Sequence, residues 1–439
     1  MKILSDITHS INYKNQLLPF CEITGLTTNS KKVSEGNLFF AICGTETDGH
    51  DYIQNAIDAG ASAIISNNQD DVKLSVPLIQ VDDTRKAVSM VAAEYYEHPS
   101  EKLNIIGITG TNGKTSTATL IKSILDKEGK KTAQIGTLGL IAEGINYKFE
   151  LTTPDAITIQ RILYELLNNN FTHVVMEVSS HALDQYRVAN INFNIAVFTN
   201  ISPEHLDYHK SMENYYRSKL RLFNMLNTNS ISVINISDDY GLKISSNSKN
   251  QTALFSQNNQ NSIHFKELDL SINGIQAKII AEETNYNVNS KLIGDFNSEN
   301  ILAAVSVAHV LGLNKKSIEK GIHNCTRING RMEIFNLKNN KTVVIDYAHT
   351  PDAYEKVLKT LKLIQSDNGK IYTVFGAGGN RDQKKRPEMA RVAEKYSEHC
   401  FITPDNPRKE DPKVISEEIC RGFSRKNYTI FNNRKVGLV

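Results

Sequence analysis

Gly110-Thr111-Asn112-Gly113-Lys114-Thr115 follows the apolar run Leu103-Asn104-Ile105-Ile106-Gly107-Ile108 and precedes a helical pattern in which Ile121, Ile124 and Leu125 recur until Gly129. That order reads as a strand, a phosphate-cradling loop and a helix start. Glycines let the backbone curl so that several N–H groups face phosphate oxygens, the helix N-terminus adds partial positive charge, and Lys114 adds a full one. Thr115 can offer its hydroxyl to Mg²⁺, and Ser116 completes the loop. Ile108 stands where the common G-x-x-x-x-G-K-[ST] loop has its first glycine. This is therefore a shorter G-x-x-G-K-T variant, which argues against an ordinary kinase or GTPase. Lys131-Thr132-Ala133-Gln134-Ile135 reads as the next strand and completes a βαβ unit.

A chain of 439 residues is too long for one ordinary core, so two or three domains are expected. With a formal net charge of +2 and no basic stripe interleaved with aromatics, nothing points to nucleic acid; a small anionic substrate fits better. Cys21, Cys43, Cys325, Cys400 and Cys420 are scattered and never in C-x-x-C spacing, which speaks against a disulfide frame and a zinc site. The start, Met1-Lys2-Ile3-Leu4-Ser5-Asp6, lacks the apolar core of a signal peptide, and no stretch approaches a membrane span. A cytoplasmic protein with reduced thiols is expected. The sequence does not fix its oligomeric state, and a monomer is the default.

Residues 1–100 mix strand-like runs (Asn37 to Ile42, Ala63 to Ile65, Pro77 to Val81) with a helix from Tyr52 to Ala59 closed by Gly60, the pattern of a small α/β module. His98 to Lys102 reads as a linker. Residues 101–328 form a second unit, where strands at His173 to Met176, Ile195 to Phe198 and Ile231 to Ile236 alternate with helices, as in a parallel, helix-covered sheet. Ser245 to Asn261, rich in Asn, Ser and Gln, is expected to be surface loop. Asn297 to Leu311 is expected to be a helix with Ala303, Ala304, Val307 and Ala308 on one face. In residues 329–439 strands at Lys341 to Ile345, Lys370 to Phe375 and His399 to Thr403, separated by helices, predict a Rossmann-like third unit. After Tyr428-Thr429-Ile430-Phe431 a helix begins, and the chain stops at Val439.

Met176-Glu177-Val178-Ser179-Ser180-His181 puts a carboxylate at the end of a buried strand, where parallel-sheet enzymes hold Mg²⁺ beside phosphates. Away from a phosphate loop, a Glu there is usually a solvated edge residue. Phe198 to His209 packs ionisable groups into a few positions, and His205 is a candidate for a second metal ion.

These residues, with Asp207-Tyr208-His209, Gly294-Asp295-Phe296-Asn297, Gly330-Arg331-Met332-Glu333, Asp346-Tyr347-Ala348-His349-Thr350-Pro351-Asp352 and Asp405-Asn406-Pro407-Arg408, resemble the Mur ligases, and within them the tripeptide-forming branch. The resemblance runs in order from about Leu26 to Arg408. It implies ATP-dependent amide-bond synthesis on UDP-N-acetylmuramoyl-L-alanyl-D-glutamate in peptidoglycan precursor assembly, through an acyl phosphate that an incoming amine attacks. It implies that Thr115, Glu177 and His205 hold Mg²⁺ and that Lys114 acts at the phosphates. Asn297 and Asn300 would lie on the adenine side, and Arg331 and Asp346 would supply phosphate and ribose contacts from a third domain that closes over ATP. Ser30, Thr45, Glu46 and Thr47 look like the uridine-nucleotide pocket. Thr152, Thr153, Ser179, Gln185 and Arg187 look like the muramoyl-peptide site. Without the motif order, such serines and threonines would be read as ordinary turn and cap chemistry.

Lys219 matches the family lysine that CO₂ carbamylates to N6-carboxylysine. An unperturbed lysine, with a pKa near ~10.4, leaves roughly one amine in a few thousand neutral at pH 7, so burial must favour the product. The D-N-P-R sequence is the mark of members that add meso-diaminopimelate, and lysine-adding members lack its arginine. Diaminopimelate is lysine with a second carboxylate at its far end, which Arg408 can grip bidentately, with Arg381 beside it. Family members continue into a G-K-G-H-E element that is missing here, so the resemblance also implies a C-terminally truncated copy with a weakened grip on the amine. The rival readings are a lysine-adding enzyme, a folylpolyglutamate synthetase and an inactive nucleotide-binding homologue.

Overall fold

The strand Asn104–Thr109 is buried at every position after Asn104, because Ile105 faces one apolar layer while Ile106 and Ile108 face another. It lies at the centre of a seven-stranded sheet in the order Gln251–Phe255, Ile231–Asn235, Ile195–Phe198, Asn104–Thr109, His173–Glu177, Thr132–Gly136 and Gly139–Ile141. Every pair is parallel except the last, which is a hairpin. The computed structural model describes residues 1–13, 18–44, 47–68, 74–338, 341–365, 368–380 and 382–437.

From the central strand the chain first moves to one side, through Thr132–Gly136 and back to His173–Glu177, and then crosses to Ile195–Phe198 on the other. The loops after these three strands therefore leave the same carboxyl edge at the point where strand order reverses. In open parallel sheets this crevice is where ligands bind. The helix Lys114–Lys127 buries Leu120, Ile121, Ile124 and Leu125 over the sheet. Its outer face carries the helices Asp295–Val310 and Lys315–Asn324, with Ser123 Oγ donating to the Gly321 carbonyl at 2.6 Å.

Before this sheet stands a smaller parallel one, Gly25–Thr27, Asn37–Ala41, Ala61–Ser66 and Leu78–Gln80, covered by the helix Thr84–Tyr95. After it come three parallel strands, Tyr372–Phe375, His399–Ile402 and Tyr428–Ile430, with the helices Pro351–Ile364, Lys385–Tyr396 and Pro412–Cys420. The α/β architecture with parallel sheets is the one expected. Among the described residues, no helix is long and apolar enough to cross a membrane.

The structure corrects three expectations and adds one sheet. Ser245 to Asn261 is not a loop throughout: it holds the end of the helix Asp239–Asn247 and the edge strand Gln251–Phe255. Its polar residues line the outward side, while Phe255 is 1% exposed and fills the core. Thr342–Ile345 does not join the Rossmann-like sheet; it pairs antiparallel with Glu333–Asn336 as a separate ribbon. The helix Asp295–Val310 is buried all round from Asn300 to Ala308, not on one face, because it is packed between the phosphate-loop helix and a second sheet. That second sheet is an antiparallel meander, His264–Ser271, Gly274–Ala281 and Thr284–Ser290, which the sequence reading did not anticipate.

Phe255→Ala tests the edge strand. Loss of a core phenylalanine costs about 3–5 kcal/mol, against about 0.5 kcal/mol or less for a loop position. A urea-unfolding midpoint close to that of the unaltered chain would contradict the assignment.

Candidate active site

Gly113 caps the phosphate-loop helix at φ +87°, and a Cβ there would lie 2.3 Å from Asn300 Oδ1. Conformation and space both demand glycine. Lys114 Nζ folds back to donate to the carbonyls of Gly110 and Thr111, both at 2.8 Å. Burial pushes this ammonium below its usual range, and the carboxylates of Glu204 and Glu177 pull it partly back. The loop is stitched to the segment after Ile195–Phe198: Thr111 N donates to Asn200 O at 2.8 Å, Asn112 N to Asn200 Oδ1 at 2.9 Å, and Thr199 Oγ1 to Asn112 O at 2.7 Å. Ser116 is buried behind it.

Glu177, at the end of its strand, is 0% exposed. A carboxylate so buried must be satisfied by donors, and it accepts from Thr115 Oγ1 at 3.0 Å, Thr137 N at 2.9 Å and Thr137 Oγ1 at 3.1 Å. Gly136 makes room, since a Cβ there would sit 2.1 Å from Glu177 Oε1. The residues expected at the muramoyl-peptide site gather behind this carboxylate. Thr152 Oγ1 lies 3.2 Å from Thr137 Oγ1, and Thr153 Oγ1 donates to Glu177 O at 2.8 Å. Ser179 caps the helix Ser180–Asp184, and Arg187 bridges Thr153 O at 2.9 Å and Gln185 Oε1 at 2.6 Å.

Across the crevice, His205 adopts φ +57°, a conformation that a non-glycine residue holds only when its surroundings impose it. Its neighbour Glu204 is nearly buried and bonds His349 Nε2 at 2.8 Å. Burial alone would raise the Glu204 carboxyl, but the His349 bond and the charges of His205, His349 and Lys114 hold it well below the usual range. Burial first, then the charges of His181, Lys114 and Lys219, push His205 down to about 3 against the pull of Glu204, leaving a neutral imidazole with a free lone pair. Lys219, on the helix Met212–Asn224, is 1% exposed with Nζ 4.3 Å from the centre of the Tyr215 ring. Burial and the Lys114 charge drive its pKa well down, Glu204 opposing. Among the described residues, no group of three or more His, Cys, Asp and Glu converges as a ready-made metal site.

The region after Gly330 reaches into the same place. Arg331 Nη2 donates to Thr115 Oγ1 at 3.0 Å, and Asp352 Oδ2 accepts from Asn112 Nδ2 at 3.2 Å. Asp346 is turned to the backbone, accepting from Met332 N at 2.8 Å and Ala348 N at 2.7 Å. Asn297 and Asn300 bond each other at 3.1 Å beneath the loop. A cavity of about 200 Å³ opens beside them, lined by Lys291, Ile293, Asn297, Arg327, Arg331 and Met332. A larger one of about 430 Å³ lies on the antiparallel meander among Glu267, Asp269 and Lys278 and contains none of these groups. Chemistry, not size, selects the smaller.

Other expected residues lie apart from this cluster. Ser30 and Thr47 follow neighbouring parallel strands of the first sheet, and Thr45 and Glu46 lie outside the described residues. Asp405 pairs with Arg434 at 3.1 Å, Asn406 O accepts from Gly379 N at 2.9 Å, Pro407 O accepts from Glu410 N at 2.9 Å, and Arg408 Nη1 donates to Gly379 O at 2.7 Å. Arg381 lies outside the described residues.

Family models match the chain along most of its length: "Mur ligase family, catalytic domain" over residues 22–96, "Mur ligase middle domain" over 108–308, and "Mur ligase, glutamate ligase domain" over 330–438. A UDP-N-acetylmuramoyl-L-alanyl-D-glutamate–2,6-diaminopimelate ligase of Aquifex aeolicus is 41% identical over 421 residues, 96% of this chain and 86% of that one. The chain belongs to the Mur ligase family. The ligase of the same name from Bacillus cereus is 38% identical over 423 residues, 95% of this chain and 85% of that one. A solved structure of a ligase with this name superposes with a TM-score of 0.71 at 30% identity, covering 100% of this chain and 90% of that one.

In this Mur ligase, sequence reasoning passed over Thr137 and Glu204. The signal for Glu204 was present in Pro203-Glu204-His205, beside a residue already singled out; Thr137 carries none, because only the fold brings it to Glu177. Gly136→Ala must displace the Glu177 carboxylate while leaving the strand intact. The expected result is turnover lower by about a hundredfold, the cost of a displacement near 1 Å, with an unchanged circular dichroism spectrum. Full turnover in the variant would show that Glu177 needs no such placement.

Proposed function

We propose that this Mur ligase uses ATP to join meso-diaminopimelate to UDP-N-acetylmuramoyl-L-alanyl-D-glutamate in the cytoplasm; the names of its relatives pair that muramoyl dipeptide with 2,6-diaminopimelate for those enzymes. The observation that carries the reading is the convergence of Lys114, Thr115, Glu177 and Glu204 at one carboxyl edge of the sheet, with Arg331 resting on Thr115. In this proposal residues 1–100 hold the uridine nucleotide, 101–328 bind ATP, and 329–439 bring Arg331 to the phosphates and Arg408 to the amine.

A carboxylate is a poor electrophile. An oxygen of the D-glutamate γ-carboxylate attacks the γ-phosphorus of ATP, the bond to the bridging oxygen breaks, and ADP leaves. The substrate amine then attacks the acyl carbon, and phosphate departs with the C–O electron pair as the amine loses its proton. Lys114, the amide groups of the loop and the helix N-terminus behind Gly113 offset charge that grows on the phosphoryl oxygens. Triphosphate oxygens would replace the carbonyls of Gly110 and Thr111 as acceptors for the Lys114 ammonium. Thr115, Glu177 and neutral His205 supply a donor set fit for Mg²⁺, whose charge would further neutralise those oxygens. Thr153, Ser179, Gln185 and Arg187 orient the muramoyl peptide. Lys219, which burial drives toward the neutral amine, is the residue that CO₂ carbamylates.

Phosphate release from ATP and the UDP-muramoyl-dipeptide should require meso-diaminopimelate. Equal release with L-lysine would remove the proposed amine, and none with either would remove the ligase reading. Arg408→Ala should raise KM for meso-diaminopimelate about ten- to a hundredfold, the worth of a charge-assisted bond, with KM for ATP unchanged. For Lys219, ¹³C-bicarbonate should give a carbamate resonance that disappears in Lys219→Met. Identical spectra from both proteins would refute the modification.

A further inference from the structure

Arg386, on the helix Lys385–Tyr396, is the largest fully buried side chain among the described residues, and its neighbours are charged. The guanidinium donates to Glu410 Oε2 at 2.9 Å and Oε1 at 3.1 Å, to Glu418 Oε2 at 2.5 Å and to Gly378 O at 3.1 Å. For stability alone this is a poor use of a core position. Packed apolar groups serve a core as well as a buried ion pair does, while one half of such a pair left alone is strongly destabilising.

What the pair does is join two loops at the carboxyl edge of the last sheet. Gly378 to Asn380 follow the strand Tyr372–Phe375, and Asn406 to Glu410 follow His399–Ile402. Glu410 Oε1 also accepts from Asn380 N, Lys409 N donates to Asn380 Oδ1 at 2.9 Å, and Gly379 N donates to Asn406 O at 2.9 Å. A Cβ at Gly379 would lie 1.9 Å from Pro407 O, so the two backbones touch. Between them Arg408 is held at φ +51°, with its own guanidinium on Gly379 O at 2.7 Å. Its backbone N donates to Asn406 Oδ1 at 3.2 Å, so both of these bonds end on the loops that Arg386 and Glu410 clamp. Unclamped, an exposed arginine with a left-handed backbone would relax.

We propose that the Arg386–Glu410 pair is a positioning device that fixes where the Arg408 guanidinium sits and thereby sets selectivity for an amine bearing a distal carboxylate. This rests on the proposed diaminopimelate substrate. Arg386 and Glu410 act through Arg408 and need not touch the substrate. A bidentate grip tolerates little angular error, so misplacement weakens recognition of that carboxylate and leaves the phosphate loop, which belongs to a different sheet, untouched.

The test uses the full chain with Glu410→Gln, which keeps the shape and weakens the pair, and with Arg386→Lys, which keeps the charge and loses the fork. Hydrogen exchange at the Gly379, Asn380 and Lys409 amides should accelerate in both. KM for meso-diaminopimelate should rise about tenfold, as for one impaired charge-assisted contact, with KM for ATP constant. In an Arg408→Ala background, Glu410→Gln should add nothing. Unchanged exchange, a parallel rise in KM for ATP, or additive effects of Glu410→Gln and Arg408→Ala would each overturn the proposal. The unaltered chain reports separately on the substrate: equal use of L-lysine removes the carboxylate to be recognised, and the selectivity role falls with it even where exchange shows the loops clamped.

Discussion

The buried carboxylate of Glu177 is the point on which the structure turns. With no access to water it must be satisfied by protein donors, and those it has, Thr115 Oγ1 and both donors of Thr137, come from the phosphate loop and from the turn after a neighbouring strand. Three strand ends are thereby fixed to one another within hydrogen-bond tolerance. The phosphate loop is fixed in turn to the segment after Ile195–Phe198, whose Thr199 and Asn200 hold its backbone and whose Ser202 N donates to Thr111 Oγ1. The crevice at the strand-order reversal is thus a tied set of loops.

Charge balance at this crevice follows from the same burial. Lys114 and Arg331 bring positive charge into this buried region, Glu177 and Glu204 bring negative charge, and Lys219 beside them is pushed toward neutrality. Lys114 keeps its ammonium on two loop carbonyls, whereas Lys219 lies over the Tyr215 ring with the Lys114 charge opposing it. Burial therefore gives two lysines of one site different character. One holds its ammonium on carbonyl oxygens, and the other is driven toward the neutral amine. Glu204 links both to the last unit of the chain through His349, so the electrostatics of the loop and the placement of that unit are coupled.

The phosphate loop was legible because its chemistry is local: two glycines, a lysine and a threonine must be adjacent in sequence to cradle phosphate. Glu177 was legible as a strand-end carboxylate once that loop was known. Thr137 was not, because nothing in Thr137-Leu138-Gly139 marks a turn that folds back on a carboxylate. The strand Gln251–Phe255 was hidden because an edge strand shows one polar side to solvent, and composition alone cannot separate that side from a loop. The strand Thr342–Ile345 was assigned to the wrong sheet because alternation identifies a strand without naming its partner, here Glu333–Asn336.

By itself the sequence determined the α/β class, the nucleotide loop and, through ordered motifs, the family, since each depends on short-range spacing. Only the tertiary structure decided that Arg331 reaches Thr115, that Glu204 faces Lys114, and that Arg386 grips Glu410 behind Arg408. The second and third join elements brought together by the crossing of parallel strands, and the first joins two separate units of the chain. Side-chain burial and charge neighbourhood follow from that crossing, and no local pattern of residues encodes them.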